Sequence, residues 1–203
     1  MSGRKQFDVG AALDQAMRVF WQRGYAEASL DALGSATGLG RGSLYGAFGS
    51  KDTLFRQCLD RYASIYGAQC EQALTAHPGD PVRAVEAFFD VVLSRIADPS
   101  VPVGCLIAQS VAQSPTLKEE ISTHVRGLLD RQRQRVRTAL AGSSADTRTL
   151  DELAAFVVAV NQSLAVLSRA GASDAELRSV ARLASATVAD TLARAASADV
   201  AQG

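Results

Sequence analysis

The chain has 203 residues, 47% of them hydrophobic, with 21 basic and 21 acidic side chains and a formal net charge of zero. That is ample apolar material for a buried core in one or two domains, and the zero net charge rules out a broad positive field as the main route to a polyanion. Three cysteines, an odd number without paired spacing, fit a reduced cytoplasm better than a disulfide framework. No signal peptide is recognised and no run reads as long enough to cross a membrane, so a cytoplasmic location is expected. His77 and His124 stand far apart without a Cys or carboxylate cluster, so no metal site is expected. No Cys/His or Ser/His/Asp set suggests an enzyme, and no cofactor is expected.

The first helix is predicted from about Asp8 to Arg23, where Val9, Leu13, Ala16, Met17, Phe20 and Trp21 recur at spacings of three and four and Gly24 ends the run. Ahead of it, Arg4 and Lys5 read either as a short arm for a nucleic-acid backbone or as a solvated terminus. Ser29 is an N-cap and Asp31 complements the dipole of a short helix from about Leu30 to Ala36. Thr37, Gly38 and Leu39 make a turn with an apolar pin, which lets two short helices cross steeply. The next helix, from about Arg41 to Ala47, turns Leu44 and Phe48 inward and leaves Arg41, Ser43 and Tyr45 outward. Those three supply a guanidinium fork for guanine or phosphate, a hydroxyl, and a phenol, while Gly42 allows close backbone approach. Ser50 caps a third helix whose N-terminus, with Lys51, suits one phosphate.

Six glycines between Gly34 and Gly49 argue for a loop by propensity alone, each worth about 1 kcal/mol inside a helix. The apolar spacing argues for helices instead. A phosphate loop is excluded because Ser50 separates Gly49 from Lys51, Asp52 follows, and no strand precedes.

From Ala12 to Leu54 the chain resembles the DNA-binding domain of the TetR/AcrR family of bacterial transcriptional regulators. The matching residues are Ala16, Phe20, Gly24, Tyr25, Ser29, Leu30, Leu33, Gly38, Gly42, Leu44, Tyr45, Phe48, Ser50, Lys51 and Leu54, over about a fifth of the chain. Three positions depart from the family pattern: Gly34 and Thr37, where alanine is usual, and Gly40, where a serine-like cap is usual. The resemblance implies an all-α fold of about nine helices, with a helix-turn-helix domain over residues 1–53 and an effector-binding and dimerisation domain over residues 54–203. It also implies a homodimeric repressor of a roughly palindromic double-stranded DNA operator, released by a small effector. DNA contacts are expected from Ser29, Arg41, Gly42, Ser43, Tyr45 and Lys51. The alternative is a helical ligand-binding or scaffold dimer without effective DNA binding, favoured by Gly40 and by six cations against five carboxylates over residues 1–53.

Beyond Lys51 one long helix is predicted to about Thr75, roughly 35 Å of rod that serves as the mechanical link to the second domain, with Cys58 and Cys70 as packing groups. Asp80 and Pro81 open a helix to about Ala97, and Ser114 and Pro115 open another to about Ala141. In the latter, Arg131, Arg133, Arg135 and Arg137 project to two sides and read as a solvated face. Thr149 with Glu152, and Ser173 with Glu176, are capping boxes for the last two helices.

The helix from Leu150 to about Arg169 is apolar nearly all round and needs partners on more than one side. With the last helix it forms the expected dimer interface: Leu153, Val157, Leu164, Leu177, Val180, Ala181, Ala184 and Val188. The alternative is that both helices close the monomer's own core. Gln109, Asn161 and Gln162 on otherwise apolar faces suit a pocket for a small, mostly apolar effector, or else they cap helices or meet at the dimer contact. Cys105, near a helix start, reads either as a thiol sensor of oxidants or electrophiles or as a buried small side chain.

Overall fold

A computed structural model of the chain describes residues 7–200, the side chains of Thr116 and residues 198–200 excepted, so the arm of Arg4 and Lys5 lies outside the described residues. Its helices are α1 (Val9–Glu27), α2 (Leu30–Thr37), α3 (Arg41–Phe48), α4 (Lys51–Tyr62), α5 (Ala68–Thr75), α6 (Pro81–Ala97), α7 (Leu106–Ala112), α8 (Glu119–Leu140), α9 (Thr147–Arg169) and α10 (Asp174–Val200). No strand occurs among the described residues.

Local chemistry sets most of these ends. The Asp8 carboxylate accepts from the Gly10 and Ala11 amides at the start of α1. Ser29 Oγ accepts from the Ala32 amide, Ser50 Oγ from Thr53, and the Asp80 carboxylate from Arg83 one turn into α6. Ser173 and Glu176 exchange bonds as a capping box, with the Glu176 carboxylate 2.7 Å from the Ser173 amide. Gly24, at φ 77° and ψ 175°, breaks α1 sharply enough that only its last few residues continue past the kink.

Two buried clusters organise the packing. In the first, α1 lies on α4 through Phe20, Trp21 and Phe55, all fully buried, and the cluster extends through Leu106, Ile121 and Val125 into α7 and the first half of α8. The same cluster therefore braces the two short helices against α7 and the first half of α8. In the second, Phe88, Phe89, Val92 and Leu93 of α6 meet Val136 and Leu140 of α8 and the inward stripes of α9 and α10.

Four expectations need correction. Seven of the eight side chains assigned to a dimer interface (Leu153, Val157, Leu164, Leu177, Ala181, Ala184 and Val188) are buried within the single chain, and Val180 is half-buried. They pack on α6, so the monomer's core takes the stripe assigned to a partner. The Ser114–Pro115 signal makes only a 3-10 turn, Ser114–Thr116, because Leu117 turns extended to bury its side chain and α8 starts at Glu119. Thr149 does not cap α9; Asp146 accepts the Thr149 amide at 2.8 Å, and Glu152 pairs with Arg148 instead. Finally, α9 is long and apolar enough to cross a membrane by length and composition alone. Its apolar inward face is nonetheless packed on α8, α6 and α10.

The rod over residues 51–75 is continuous but not uniform: Ala63–Gly67 is a π-helical turn between α4 and α5. Such turns insert one extra residue into the helical path and re-aim the side chains around them. In the arginine-rich stretch of α8, Arg131 and Arg133 face solvent while Arg135 and Arg137 are half-buried; Arg135 pairs with Glu71, Arg137 with Asp151 and Arg133 with Asp130.

Asp52, at the first turn of α4, ties the short-helix region to α8. The Tyr25 hydroxyl donates to it, and so does the Lys118 ammonium, which with Tyr25 holds its carboxyl below the usual carboxylate range. Burial, then Asp52, pushes the Tyr25 phenol up to about 12, so it remains a donor at neutral pH. A depressed carboxyl stabilises the fold above its unfolded value of about 3.9, and this contribution fades as pH falls through the folded value. The wild-type chain is therefore expected to melt above Asp52→Asn at pH 7, with the gap closing below about pH 4. A gap that stays constant from pH 7 to pH 3 in thermal melts contradicts this.

Candidate nucleic-acid interface and internal cavity

Helix α3 is anchored by Leu44 and Phe48, both buried, and presents Arg41, Gly42, Ser43 and Tyr45 to solvent, Tyr45 with 48% exposure. A Cβ at Gly42 or Gly46 would meet nothing, so this face is bare backbone between side chains. Gly40 gives α3 no side-chain cap, which leaves first-turn amides facing outward for an anion. Arg41 is pre-oriented by Asp31 of α2, Nη2 to carboxylate 2.8 Å, and both side chains are exposed. An exposed pair of this kind is readily exchanged for a phosphate or base edge.

Ser29 is exposed and engaged as the α2 cap. Lys51 lies with its ammonium 4.5 Å from the Tyr25 ring centroid and 3.5 Å from the Ala26 carbonyl, and burial lowers its pKa. The six residues expected to contact DNA thus lie on α3 and on the N-terminal ends of α2 and α4.

The second site is internal. A cavity of about 50 Å³ lies between the π-helical turn, α6, α8 and α9, lined by Tyr62, Tyr66, Cys70, Phe88, Val92, Arg95, Cys105, Leu128, Gln132, Arg135, Asn161 and Gln162 among others. Of the four residues expected at an effector site, Cys105, Asn161 and Gln162 line it and Gln109 does not. Asn161 Oδ1 and Gln162 Oε1 are buried without a hydrogen-bond partner, an arrangement that costs about 1–3 kcal/mol per group unless something in the cavity supplies the bond. Cys105 is buried, precedes the first residue of α7, and accepts from the Tyr62 hydroxyl at 3.3 Å. Burial pushes the Cys70 thiol up to about 11 and drives the Cys58 thiol higher still, consistent with packing roles for both.

Arg95, at the α6 end of the cavity, escaped the sequence reading. Its guanidinium carbon sits 5.7 Å from the Trp21 ring and 5.9 Å from the Tyr66 ring, and it donates to the Gly104 carbonyl. The signal was available: Phe88, Val92 and Arg95 continue one inward stripe at spacings of four and three, so the arginine interrupts an apolar face.

Arg169, the last residue of α9, was also missed, and no local pattern announces it. One of its guanidinium nitrogens donates to the Trp21 carbonyl at 3.2 Å and to Gln109 Oε1 at 3.1 Å; the other donates to the Gln22 carbonyl at 3.3 Å. These two carbonyls belong to the last turn of α1 before the Gly24 kink, where intrahelical partners run out. Around the same kink, Gln113 Oε1 accepts from the Tyr25 amide at 3.0 Å. A side chain at Gly24 would collide with the Gln113 and Gln109 amides, and one at Gly104 with the Arg169 stem at 2.7 Å. A continuous set of contacts therefore runs from the cavity wall to α1: Arg95 to the Gly104 carbonyl, Gly104 against Arg169, and Arg169 to Trp21 and Gln22.

Comparison with known proteins agrees with both halves of this arrangement. The family model for bacterial regulatory proteins of the tetR family matches residues 12–58, and that for the tetracyclin repressor-like C-terminal domain matches residues 81–197. The HTH-type transcriptional repressor ComR of Escherichia coli K12 is 32% identical over 185 residues, 87% of each chain. A cysteine mutant of the TetR family regulator CifR, complexed with a 26 bp double-strand operator DNA, superposes with a TM-score of 0.82 at 30% identity, over 89% of this chain and 97% of that one. A TetR regulator from Chloroflexus aurantiacus shares the fold at a TM-score of 0.78 and 24% identity, over 89% and 93% of the two chains. With an exposed reading helix at one end and a helical, cavity-bearing body at the other, the chain belongs to the tetR family of bacterial regulatory proteins and is a DNA-binding transcriptional regulator.

Proposed function

We propose that the chain is a homodimeric repressor that binds a roughly palindromic operator through α3 and releases it when the internal cavity is filled. The observation that carries this reading is the contact set from Arg95 through Gly104 and Arg169 to the end of α1, the helix that braces the reading head. An occupant that displaces Arg95 or the segment beside Cys105 shifts Arg169, and with it the tilt of α1 and α3. Release follows only if the occupant binds the displaced arrangement more tightly than the operator-competent one. The π-helical turn, which lines the same cavity, makes the rod over residues 51–75 the second route. Modification of the Cys105 thiol is a further entry to the same release; Cys105→Ser would abolish release by an alkylating agent, and unchanged alkylation-driven release would remove this route.

Reading two half-sites requires two copies. With the inward stripes of α9 and α10 consumed by the core, the partner face is the opposite one: Phe156, Val166 and Leu167 of α9 with Leu183 of α10, the last 67% exposed. Pairing there satisfies the second apolar side of α9 and sets the reading helices about one DNA turn, roughly 34 Å, apart.

Duplexes selected from a random library are expected to be palindromic and to bind about 10³-fold tighter than a scrambled control, with affinity falling steeply in salt. A folded dimer that enriches nothing would favour a scaffold role instead. On the selected duplex, Arg41→Ala is expected to relax base preference, whereas Lys51→Ala weakens all duplexes alike; equal losses for cognate and random DNA in both variants contradict that division. Val166→Glu combined with Leu183→Glu is expected to sediment as a monomer with unchanged helix content, and a dimer that persists at the same concentration would refute the proposed face.

A further inference from the structure

The chemistry of the cavity wall narrows what can fill it. Two arginines line it, and they differ: Arg135 is neutralised by Glu71 at 3.1 Å, while Arg95 has no carboxylate partner among the described residues. Arg95 lies against two aromatic faces and gives a hydrogen bond to one neutral carbonyl, Gly104, so part of its fork remains unmatched. No Asp or Glu lines the cavity, and burial holds the Tyr62 phenol and the Cys70 thiol in their neutral forms. The wall therefore carries an uncompensated positive charge.

Opposite in character are the two amide oxygens. Asn161, 4% exposed, has Oδ1 buried without a partner, and Gln162 Oε1 is in the same condition although the Gln162 amide nitrogen reaches Gln132 at 3.4 Å. These acceptors need a donor, which a bare carboxylate does not have. The volume, about 50 Å³, exceeds the roughly 10–15 Å³ needed by one water, so the site has room for more than one non-hydrogen atom.

We infer that the effector is a hydroxycarboxylate, for which glycolate is the simplest probe, its carboxylate on Arg95 and its hydroxyl donating to Asn161. This rests on the cavity being the effector site. The carboxylate completes the Arg95 fork, and the hydroxyl satisfies the buried amide. An ammonium donor would fail because Arg95 repels it, and a neutral amide would leave the guanidinium unmatched.

The test titrates the full chain with glycolate, with propionate, which lacks the hydroxyl, and with glycolamide, which lacks the charge. Emission of Trp21, the single tryptophan, reports binding because its ring lies 5.7 Å from the Arg95 guanidinium carbon. Glycolate is expected to saturate, with propionate and glycolamide each at least about tenfold weaker. Asn161→Leu, which is nearly isosteric and removes an unpaired amide, is expected to fold at least as stably, to lose about tenfold for glycolate and to leave propionate unchanged. No saturation by glycolate, glycolamide binding as tightly as glycolate, or Asn161→Leu binding glycolate like the wild type overturns the inference. Operator binding followed in the same preparation keeps the two readings apart. Intact operator binding without glycolate binding removes this ligand and leaves the regulator, whereas saturation without loss of operator affinity leaves the site and removes its effector role.

Discussion

The end of α1 depends on a cation supplied from the far side of the chain. Gly24 takes a positive φ and the helix breaks there, in the turn after Trp21 and Gln22, where helix-end carbonyls run out of intrahelical donors. Arg169 fills that vacancy across 148 and 147 residues of sequence, a cation at the negative end of the helix dipole. The fit exists because two neighbours are glycine: Gly24 leaves room for the Gln109 and Gln113 amides and Gly104 for the Arg169 stem.

From that contact the rest of the arrangement follows. Helix α1 is the platform for α2 and α4, and α3 is seated between those two, so the orientation of α3 is inherited from α1. Phe20, Trp21 and Phe55 weld α1 to α4, while Asp52 ties the start of α4 to Lys118 ahead of α8. The reading head is thus joined to the body on two sides, one apolar and one ionic. The cavity lies beside the π-helical turn and is lined by Cys105, just ahead of α7. A filled cavity has no slack region in which to hide a displacement, because close-packed interiors transmit small shifts rather than absorb them.

What was legible in the sequence was local. The caps at Ser29, Ser50 and Asp80 and the capping box at Ser173 act within one helical turn, so the residue types alone announce them. The outward set of Arg41, Ser43 and Tyr45 followed from the inward spacing of Leu44 and Phe48. Two local signals misled for a local reason: Asp146 rather than Glu152 accepts from the Thr149 amide, which moves the cap three residues upstream, and burial of Leu117 overrode the helix start at Ser114. The larger misses were tertiary. A helix apolar on both faces, such as α9, does not say which stripe meets its own core, and α6 decided it. Arg169 and its carbonyl partners share no sequence neighbourhood, and Arg95 reads as a helix-terminal cation until its place on the Phe88 and Val92 stripe is noticed.

Native-state hydrogen exchange of Arg169→Met tests the coupling most directly, since methionine keeps much of the apolar stem and removes the guanidinium. The account predicts that amides around the Gly24 kink and in α7 lose about tenfold or more in protection while α6 and α10 keep theirs. Operator affinity should fall in the same variant. Unchanged protection around the kink, with operator binding intact, would mean that the reading head stands independently of α9 and would contradict the account.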